Sequence, residues 1–269
     1  MRIALCLYGM IGSKYGNGLK KQNLSPSIAA RYYKKNIINY SKKNKVDVFI
    51  HSWSYDYKEK LIKLYKPKEF IFEKQKNYKS DLINKISKKR ISYKDYLKDL
   101  FNFFFYKKKY YERVKHIKET TYRGLSRWYS SKKSIELVEK YLKNKNLKYD
   151  FIMVSRFDVA FYKPILFNKY DPEKFWVSYW NDNPTAKIKK SPKKNNVNIG
   201  THLMDLWFFS NQSNMIKFSK LFNHAENYHY SPHISSLEHI NFLKLDISYT
   251  LYKWFDYDLI RRAFFKSTK

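Results

Sequence analysis

The sequence predicts a mixed α/β fold, with a central, mostly parallel sheet flanked by helices and a helical insertion. Strand-like apolar runs alternate with helix-like amphipathic runs through residues 2–156. That alternation is typical of parallel strands joined by crossover helices. Aromatic residues make up 19% of the 269 residues, which supplies a sizeable core and is unlike a disordered chain. We expect one domain, 1–269.

The first third of the chain carries the clearest alternation. Its segments are strand 2–8 (RIALCLY), a helix after Ser25-Pro26, strand 46–53 (VDVFIHSW), helix 57–65 (YKEKLIKLY) and strand 68–73 (KEFIFE). Ser25 is a good N-cap, and Pro26 suits the first helical position. Ala29, Tyr33, Ile37 and Tyr40 fall on one face of that helix.

The rest of the chain is less regular. Residues 79–122 read as a Lys- and Tyr-rich helical insertion that contains FNFFFYKKKYY (101–111). The further segments are helix 126–143, strand 151–154, strands 175–180 and 203–210, helices 212–222 and 235–244, and an irregular end. Residues 181–198 are polar, basic and almost free of apolar side chains, so we expect a mobile loop there.

The formal charge of +32, from 55 Lys and Arg against 23 Asp and Glu, is extreme. Such an excess implies an anionic partner, which can be nucleic acid, an acidic membrane surface or a phosphorylated substrate. Lys, Asn, Ile and Tyr are over-used together, as AT-rich coding sequence would produce. Compositional drift therefore accounts for part of the charge without specifying a partner.

One cysteine, Cys6, lies in an apolar stretch, so no disulfide can form within the chain. This fits a reducing compartment, and we expect a cytoplasmic protein. The first apolar run is short and interrupted by glycine, which favours a strand over a signal peptide. No segment reaches the ~20 apolar residues that a membrane span needs.

The stretch YDFIMVSRFD places Arg156 and Asp158 where an apolar strand ends. In open α/β sheets, ligands bind outside the carboxyl ends of the strands. A buried carboxylate there needs a cation beside it. A divalent metal that carries a diphosphate would meet that need, and so would Arg156 alone. The local sequence leaves both interpretations open.

Several motifs occur together in order: the first strand with its small polar loop, VDVFIHSW, YSSKKSIELVEKY, YDFIMVSRFD and DLWFFSN. This order resembles a family of bacterial and viral polysaccharide glycosyltransferases with a GT-A-like fold, over about residues 1–73 and 120–245. The resemblance implies that Asp158 plays the part of the Asp-x-Asp motif, which holds Mn²⁺ or Mg²⁺ and the diphosphate of a nucleotide sugar. Arg156 stands where the full motif has its first aspartate. Its guanidinium could neutralise phosphate directly.

Further donor-site candidates follow the first two strands. The resemblance implies that the loop containing Tyr8, Gly9 and Lys14 holds the base and ribose, although a plain turn fits the same residues. Glycine there would let the backbone approach a ligand closely. His51 ends the second strand on the same edge. It reads equally as a satisfied buried histidine or as a binding residue.

Arg127 and Trp128 lie in a basic, aromatic segment near the expected start of the long helix. A basic helix N-terminus can hold phosphate. The resemblance implies that this helix borders the donor. A solvated basic face is the alternative, chiefly for the lysines that follow at 132 and 133.

Two carboxylates are candidates for the catalytic base that takes the proton of an acceptor hydroxyl. Asp205 interrupts the apolar strand LMDLW, where alternation places it on one face with Leu203 and Trp207. Glu238, in SSLEHINFL, is the other candidate and lies in an expected helix.

The resemblance implies a UDP- or GDP-linked sugar donor and a surface-glycan or glycolipid acceptor. A basic nucleic-acid-binding protein is an alternative, but no helix-turn-helix, zinc or RNA-recognition signature is present, so we expect no nucleic acid. Sulfo- or phosphotransfer on a similar scaffold is another, weakened by the lack of a GxxxxGK[ST] loop. The stretch 101–111 suits peripheral contact with a membrane and equally a buried helix with a lysine-rich flank.

Overall fold

The computed structural model describes residues 1–11, 25–89, 93–143, 145–179 and 202–260. The predicted loop 181–198 and Lys14 lie outside these residues. The strands are β1 Arg2–Gly9, β2 Lys45–Ser52, β3 Glu69–Phe72, β4 Phe151–Arg156, β5 Val159–Phe161, β6 Phe175–Tyr179, β7 Met204–Ser210, β8 Ile247–Tyr252 and β9 Tyr257–Leu259.

Seven of these strands form one sheet in the order β3-β2-β1-β4-β7-β6-β8. Strands β3, β2, β1 and β4 are mutually parallel, as are β6 and β8. Strand β7 runs antiparallel to both of its neighbours, β4 and β6. A separate pair joins β5 and β9. The predicted α/β fold with a mostly parallel central sheet is confirmed.

Helices connect and flank the strands. They are α1 Pro26–Tyr33, α2 Lys58–Tyr65, α3 Ser80–Ser87, α4 Tyr93–Phe105, α5 Lys107–Lys143, α6 Gln212–Ser219 and α7 Pro232–Phe242. A π-helical turn, Lys34–Ile38, extends α1, and a 3₁₀ helix, Lys220–Asn227, follows α6. No helix in the described ranges has both the length and the apolarity to cross a lipid bilayer.

Side-chain alternation along β1 divides the core into two layers. Ile3, Leu5 and Leu7 pack on one face of the sheet with residues of α1 and α2. Ala4, Cys6 and Tyr8 pack on the other face with residues of α5, α6 and α7. Because period-2 alternation sends neighbouring residues to opposite faces, both layers of helices bury apolar surface against one sheet.

The start of α1 follows the prediction and its end does not. The Ser25 hydroxyl accepts a hydrogen bond from the backbone N–H of Ser27, with Pro26 at the first helical position. Tyr33 and Ile37 are buried, but Tyr40 is 46% exposed. The helix widens to a π-turn after Tyr33 and ends at Ile38, so Tyr40 leaves the predicted face.

Two element boundaries differ from the sequence prediction. The long helix begins at Lys107 rather than near residue 126, so the end of the predicted insertion is the first half of α5. Gly124 lies inside this helix, where a single glycine is tolerated. The end of the chain is not wholly irregular, because it contains β8 and β9. Every residue of β8 is only half-buried, and such an edge strand lacks the apolar run that reveals a buried one.

Candidate functional site

The strand order reverses between β1 and β4. The chain proceeds from β1 outward to β2 and β3, and then returns to place β4 on the other side of β1. Tyr8 and Arg156 are register partners at the carboxyl ends of these two parallel strands. A crevice at such a reversal is the usual ligand site of an open α/β sheet.

Arg156 and Asp158 form a bidentate ion pair at this edge. Arg156 Nε donates to Asp158 Oδ1 at 2.8 Å, and Nη2 donates to Oδ2 at 2.6 Å. Burial disfavours the charge of Arg156, but Asp158 outweighs burial, and the pKa of Arg156 is raised. From the α1 side, the Tyr33 hydroxyl donates to the Arg156 carbonyl oxygen at 2.6 Å, which fixes the end of β4.

A second arginine–aspartate pair lies beside the first. Asp205 is 1% exposed and pairs with Arg127, which projects from α5. His233, in the first turn of α7, places Nδ1 at 3.2 Å from Asp205 Oδ1 and at 2.9 Å from the carbonyl oxygen of Leu203. Burial lowers the pKa of His233 to about 3, with Arg127 acting in the same direction. His233 is therefore neutral at pH 7.

Tyr8 lies between the two pairs. Its hydroxyl donates to the backbone carbonyl oxygen of Asp205 at 3.3 Å. Burial raises the pKa of Tyr8, while the positive charges of Arg127 and Arg156 oppose that rise. Tyr8 is thus connected to both pairs, as the register partner of Arg156 and through Asp205 to Arg127. The fold thus brings together five of the predicted site residues, Tyr8, Arg127, Arg156, Asp158 and Asp205.

The strand around Asp205 departs from the predicted alternation. The pairing of β6 with β7 is irregular between Met204 and Phe209. Leu203 packs in the layer that faces α5, whereas Trp207 packs in the opposite layer. The expectation that Leu203 and Trp207 share a face is wrong, because a bulge interrupts period-2 alternation.

His51 is linked through Ser130 to the end of β1. It is fully buried, with Nε2 at 2.9 Å from Glu73 Oε1 and Nδ1 at 2.7 Å from Ser130 Oγ. Burial lowers its pKa, so the ring is neutral. Because a carboxylate only accepts, Nε2 carries the hydrogen and Nδ1 accepts from Ser130. Ser130 Oγ also accepts from the backbone N–H of Gly9 at 2.8 Å, which links His51 to the end of β1.

The backbone conformation at residue 9 favours glycine. Its φ is +94°, a conformation that other L-residues rarely adopt, and a Cβ there would meet open space. Its carbonyl oxygen accepts from the Ser52 hydroxyl at 3.0 Å and from the Trp53 N–H at 3.1 Å. The end of β1 is thus held on both sides.

Trp128 and Glu238 contact residues outside the two arginine–aspartate pairs. Trp128 is buried on the core side of α5, where Nε1 donates to Ser235 Oγ at 3.3 Å. Glu238 Oε2 accepts from the backbone N–H of His229 at 2.7 Å, ahead of α7. Burial raises the pKa of Glu238. The structure therefore places Asp205, and not Glu238, beside the Arg156–Asp158 pair.

The described residues do not form a ready metal site. Within the described ranges, no three His, Cys, Asp or Glu side chains are grouped to hold a metal ion. Both carboxylate oxygens of Asp158 are bound by Arg156. Asp158 would therefore have to release Arg156 before its oxygens could coordinate a metal ion. The divalent metal implied by the sequence resemblance stays a prediction.

Among solved structures, the chain has distant structural likenesses. The chain is similar to mouse xyloside xylosyltransferase 1 in its apo form, with a TM-score of 0.41 and 10% sequence identity over 93% of this chain and 85% of that one. No family model matches the sequence. No curated protein matches it either.

Sequence reasoning overlooked one basic side chain near this site. Lys253 is 6% exposed, and its charge contributes to lowering the pKa of His233. It lies between Leu251 and Trp254, both of which have positive φ. No local sequence pattern predicts that a lysine is buried by residues distant in the chain. The burial of Lys253 is therefore visible only in the tertiary structure.

Proposed function

We propose that this protein is a glycosyltransferase that moves a sugar from a nucleotide-sugar donor to a surface-glycan or glycolipid acceptor. The observation that carries the proposal is the position of Tyr8 at the strand-order reversal between β1 and β4. Tyr8 lies opposite Arg156 and donates to Asp205, the partner of Arg127. Two guanidinium groups at a usual ligand crevice suit a diphosphate. The resemblance of the motif order to polysaccharide glycosyltransferases gives the reaction class.

In this proposal each charged group has one task. Arg156, and Arg127 beside it, attract the diphosphate of a UDP- or GDP-linked sugar with their positive charge. Because Nε and Nη2 of Arg156 already hold Asp158, the diphosphate binds the other N–H groups of Arg156 or displaces the carboxylate. Asp205 accepts the proton of the acceptor hydroxyl, and the neutral His233 at 3.2 Å holds its orientation. Asp158 keeps Arg156 extended toward the crevice. The reaction takes place in the cytoplasm.

Ligand-induced stabilisation tests the proposal. UDP, GDP and their sugar conjugates, each with and without Mn²⁺, are screened by thermal unfolding. At about 100 times its Kd, a ligand adds about 2.7 kcal/mol, which raises the melting temperature by roughly 5–10 °C. Arg156→Lys keeps the charge but loses the two-donor geometry, so we expect a smaller shift.

Arg123→Ala is the matched control, because Arg123 lies on α5 one turn before Arg127 and pairs with Glu119 at the surface. The ligand should raise the melting temperature of Arg123→Ala as much as that of the unaltered protein. The proposal fails if no nucleotide diphosphate or nucleotide sugar stabilises the protein, or if Arg156→Lys leaves the shift unchanged.

A further inference from the structure

Helix α4 buries polar side chains and exposes apolar ones, which is the reverse of an ordinary surface helix. Asp99 and Asn102 are buried against α5, at 9% and 5% exposure. Asp99 pairs there with Arg113 of α5 at 2.9 Å. The outward side, here called the outer face of α4, consists of Leu97, Leu100, Phe101, Phe104, Phe105 and the following Tyr106, all exposed. An apolar face of this kind marks a surface that contacts an apolar partner.

The outer face of α4 projects away from the body of the protein. Helix α5 begins at Lys107, yet its first buried residue is Ile117. At ~1.5 Å per residue, the α4–α5 turn therefore stands roughly 15 Å beyond the packed part of α5. A projecting turn can reach a flat surface without a clash from the rest of the molecule.

The charge around this face indicates which partner fits. Residues 96–118 contain six lysines and one arginine against two acidic residues. Three of those lysines, 107–109, form the first turn of α5, which contains no acidic residue. Cations at a helix N-terminus are unfavourable, and an anionic layer there would offset that cost.

We propose that the outer face of α4 and Lys107–Lys109 dock the protein on an anionic lipid bilayer, with the aromatic rings at the headgroup level and the lysines on the acidic headgroups. Aromatic rings and lysine stems suit that interface. A second copy of the chain fits the outer face of α4 less well than a bilayer does. A two-fold symmetric contact would bring the same lysines of both copies together. The inference concerns this surface alone and does not depend on the proposed activity.

Vesicle co-sedimentation tests the docking surface. Vesicles of equal parts phosphatidylglycerol and phosphatidylcholine are compared with vesicles of phosphatidylcholine alone. Because the whole chain carries +32, anionic vesicles could attract any of its faces, so the deciding variant keeps the charge. We expect Phe104→Ser/Phe105→Ser to bind the anionic vesicles about tenfold or more weakly.

Phe242→Ser is the matched aromatic control, because Phe242 is 66% exposed, against 64% for Phe104 and 70% for Phe105. Lys107→Glu/Lys108→Glu should also bind about tenfold or more weakly. Lys42→Glu/Lys43→Glu makes the same charge change at another exposed turn and should bind nearly as the unaltered protein does.

A fluorescent label gives a readout that does not depend on affinity. Cys6 is fully buried, so Phe104→Cys offers one accessible thiol for an environment-sensitive dye. Its emission should shift to the blue on anionic vesicles, and that of a dye placed by Phe242→Cys should not.

Three results would overturn the proposal. The first is Phe104→Ser/Phe105→Ser binding the vesicles as the unaltered protein does. The second is equal weakening by the two lysine pairs, which would indicate general attraction. The third is a lipid-free dimer in sedimentation velocity that Phe104→Ser/Phe105→Ser converts to monomer, because the face would then belong to a second copy.

Discussion

Arg156 holds Asp158 through two hydrogen bonds, from Nε to Oδ1 at 2.8 Å and from Nη2 to Oδ2 at 2.6 Å. Both side chains are mostly buried. Breaking one partner of such a pair leaves an uncompensated charge, which costs about 3–5 kcal/mol. Removing the charge of Asp158 therefore tests whether an added anion can replace its carboxylate beside Arg156.

Asp158→Asn should lower the free energy of unfolding by about 3–5 kcal/mol, because Arg156 loses its counter-charge. Inorganic pyrophosphate should restore part of that loss by binding Arg156. Urea denaturation with and without pyrophosphate measures both effects. Asp246→Asn is the control, since Asp246 pairs with Lys174 at the surface, where such pairs contribute about 0–1 kcal/mol. Equal stability of the two variants, or no recovery with pyrophosphate, would contradict the prediction.

Arg127→Met should destabilise the protein by about 3–5 kcal/mol, because Asp205 would remain charged and buried. Arg127→Met/Asp205→Leu should recover most of that loss, since removing both charges removes the unpaired one. Arg123→Met, on the exposed part of the same helix, should change stability little. Urea denaturation of the set measures the coupling. A double variant no more stable than Arg127→Met would show that the two side chains are not coupled.

Asp205→Asn should lower the rate of sugar transfer by about 10²–10⁴-fold, because an amide cannot accept the acceptor proton. Nucleotide affinity should not fall, because both arginines remain and Arg127 loses its negative partner. The unpaired Arg127 should lower the free energy of unfolding, so turnover is compared at a temperature where the variant is folded. Steady-state turnover and calorimetric binding separate the two quantities. Glu238→Gln is the comparison and should retain turnover. If Asp205→Asn keeps turnover and Glu238→Gln loses it, the base assignment passes to Glu238.

Stability should fall as the pH drops from about 6.5 toward 4. Burial lowers the pKa of His239 to about 4, against about 6.5 in an unfolded chain. Between these values the unfolded state binds more protons, so stability rises with pH by up to about 1.4 kcal/mol per pH unit for this residue. Its contribution is fully present above pH 6.5 and is lost as the pH falls through the window.

His239→Gln should remove one contribution to that slope and leave those of His233 and His51, whose pKa values burial also lowers. His116→Gln, at an exposed position, serves as the comparison. Denaturation at pH 4.5, 5.5 and 7 measures the slope, and the NMR titration of the His239 ring measures its pKa directly. An unchanged slope in His239→Gln would show that this residue does not contribute to it.

Gly9→Ala should cost about 1–3 kcal/mol through backbone strain alone, because φ is +94° and the added methyl group meets open space. Ser130→Ala should cost a comparable amount for a different reason. It leaves the Gly9 N–H and His51 Nδ1 without their shared partner. Chemical denaturation measures both variants. A Gly9→Ala protein of unchanged stability would show that the loop relaxes to negative φ.

Local signals in the sequence correctly predicted much of the fold. The apolar runs gave the parallel strands, and Ser25-Pro26 gave the start of α1. The Arg156–Asp158 pair was also within reach, because its members are two residues apart at a strand end. Each of these features depends on neighbouring residues, whose conformations are set by backbone sterics and capping.

Other features were decided only by the tertiary structure. Arg127, Asp205 and His233 come from α5, β7 and α7, and they meet because the helix rotations and the irregular pairing of β7 place them together. The outward apolar face of α4 was likewise hidden, since periodicity reveals that a helix is amphipathic but not which side packs. The sequence by itself determined most of the strands and helices, but not β5, β8 or β9. Packing between distant segments decided which side chains share a site, because register and rotation depend on contacts that no local pattern contains.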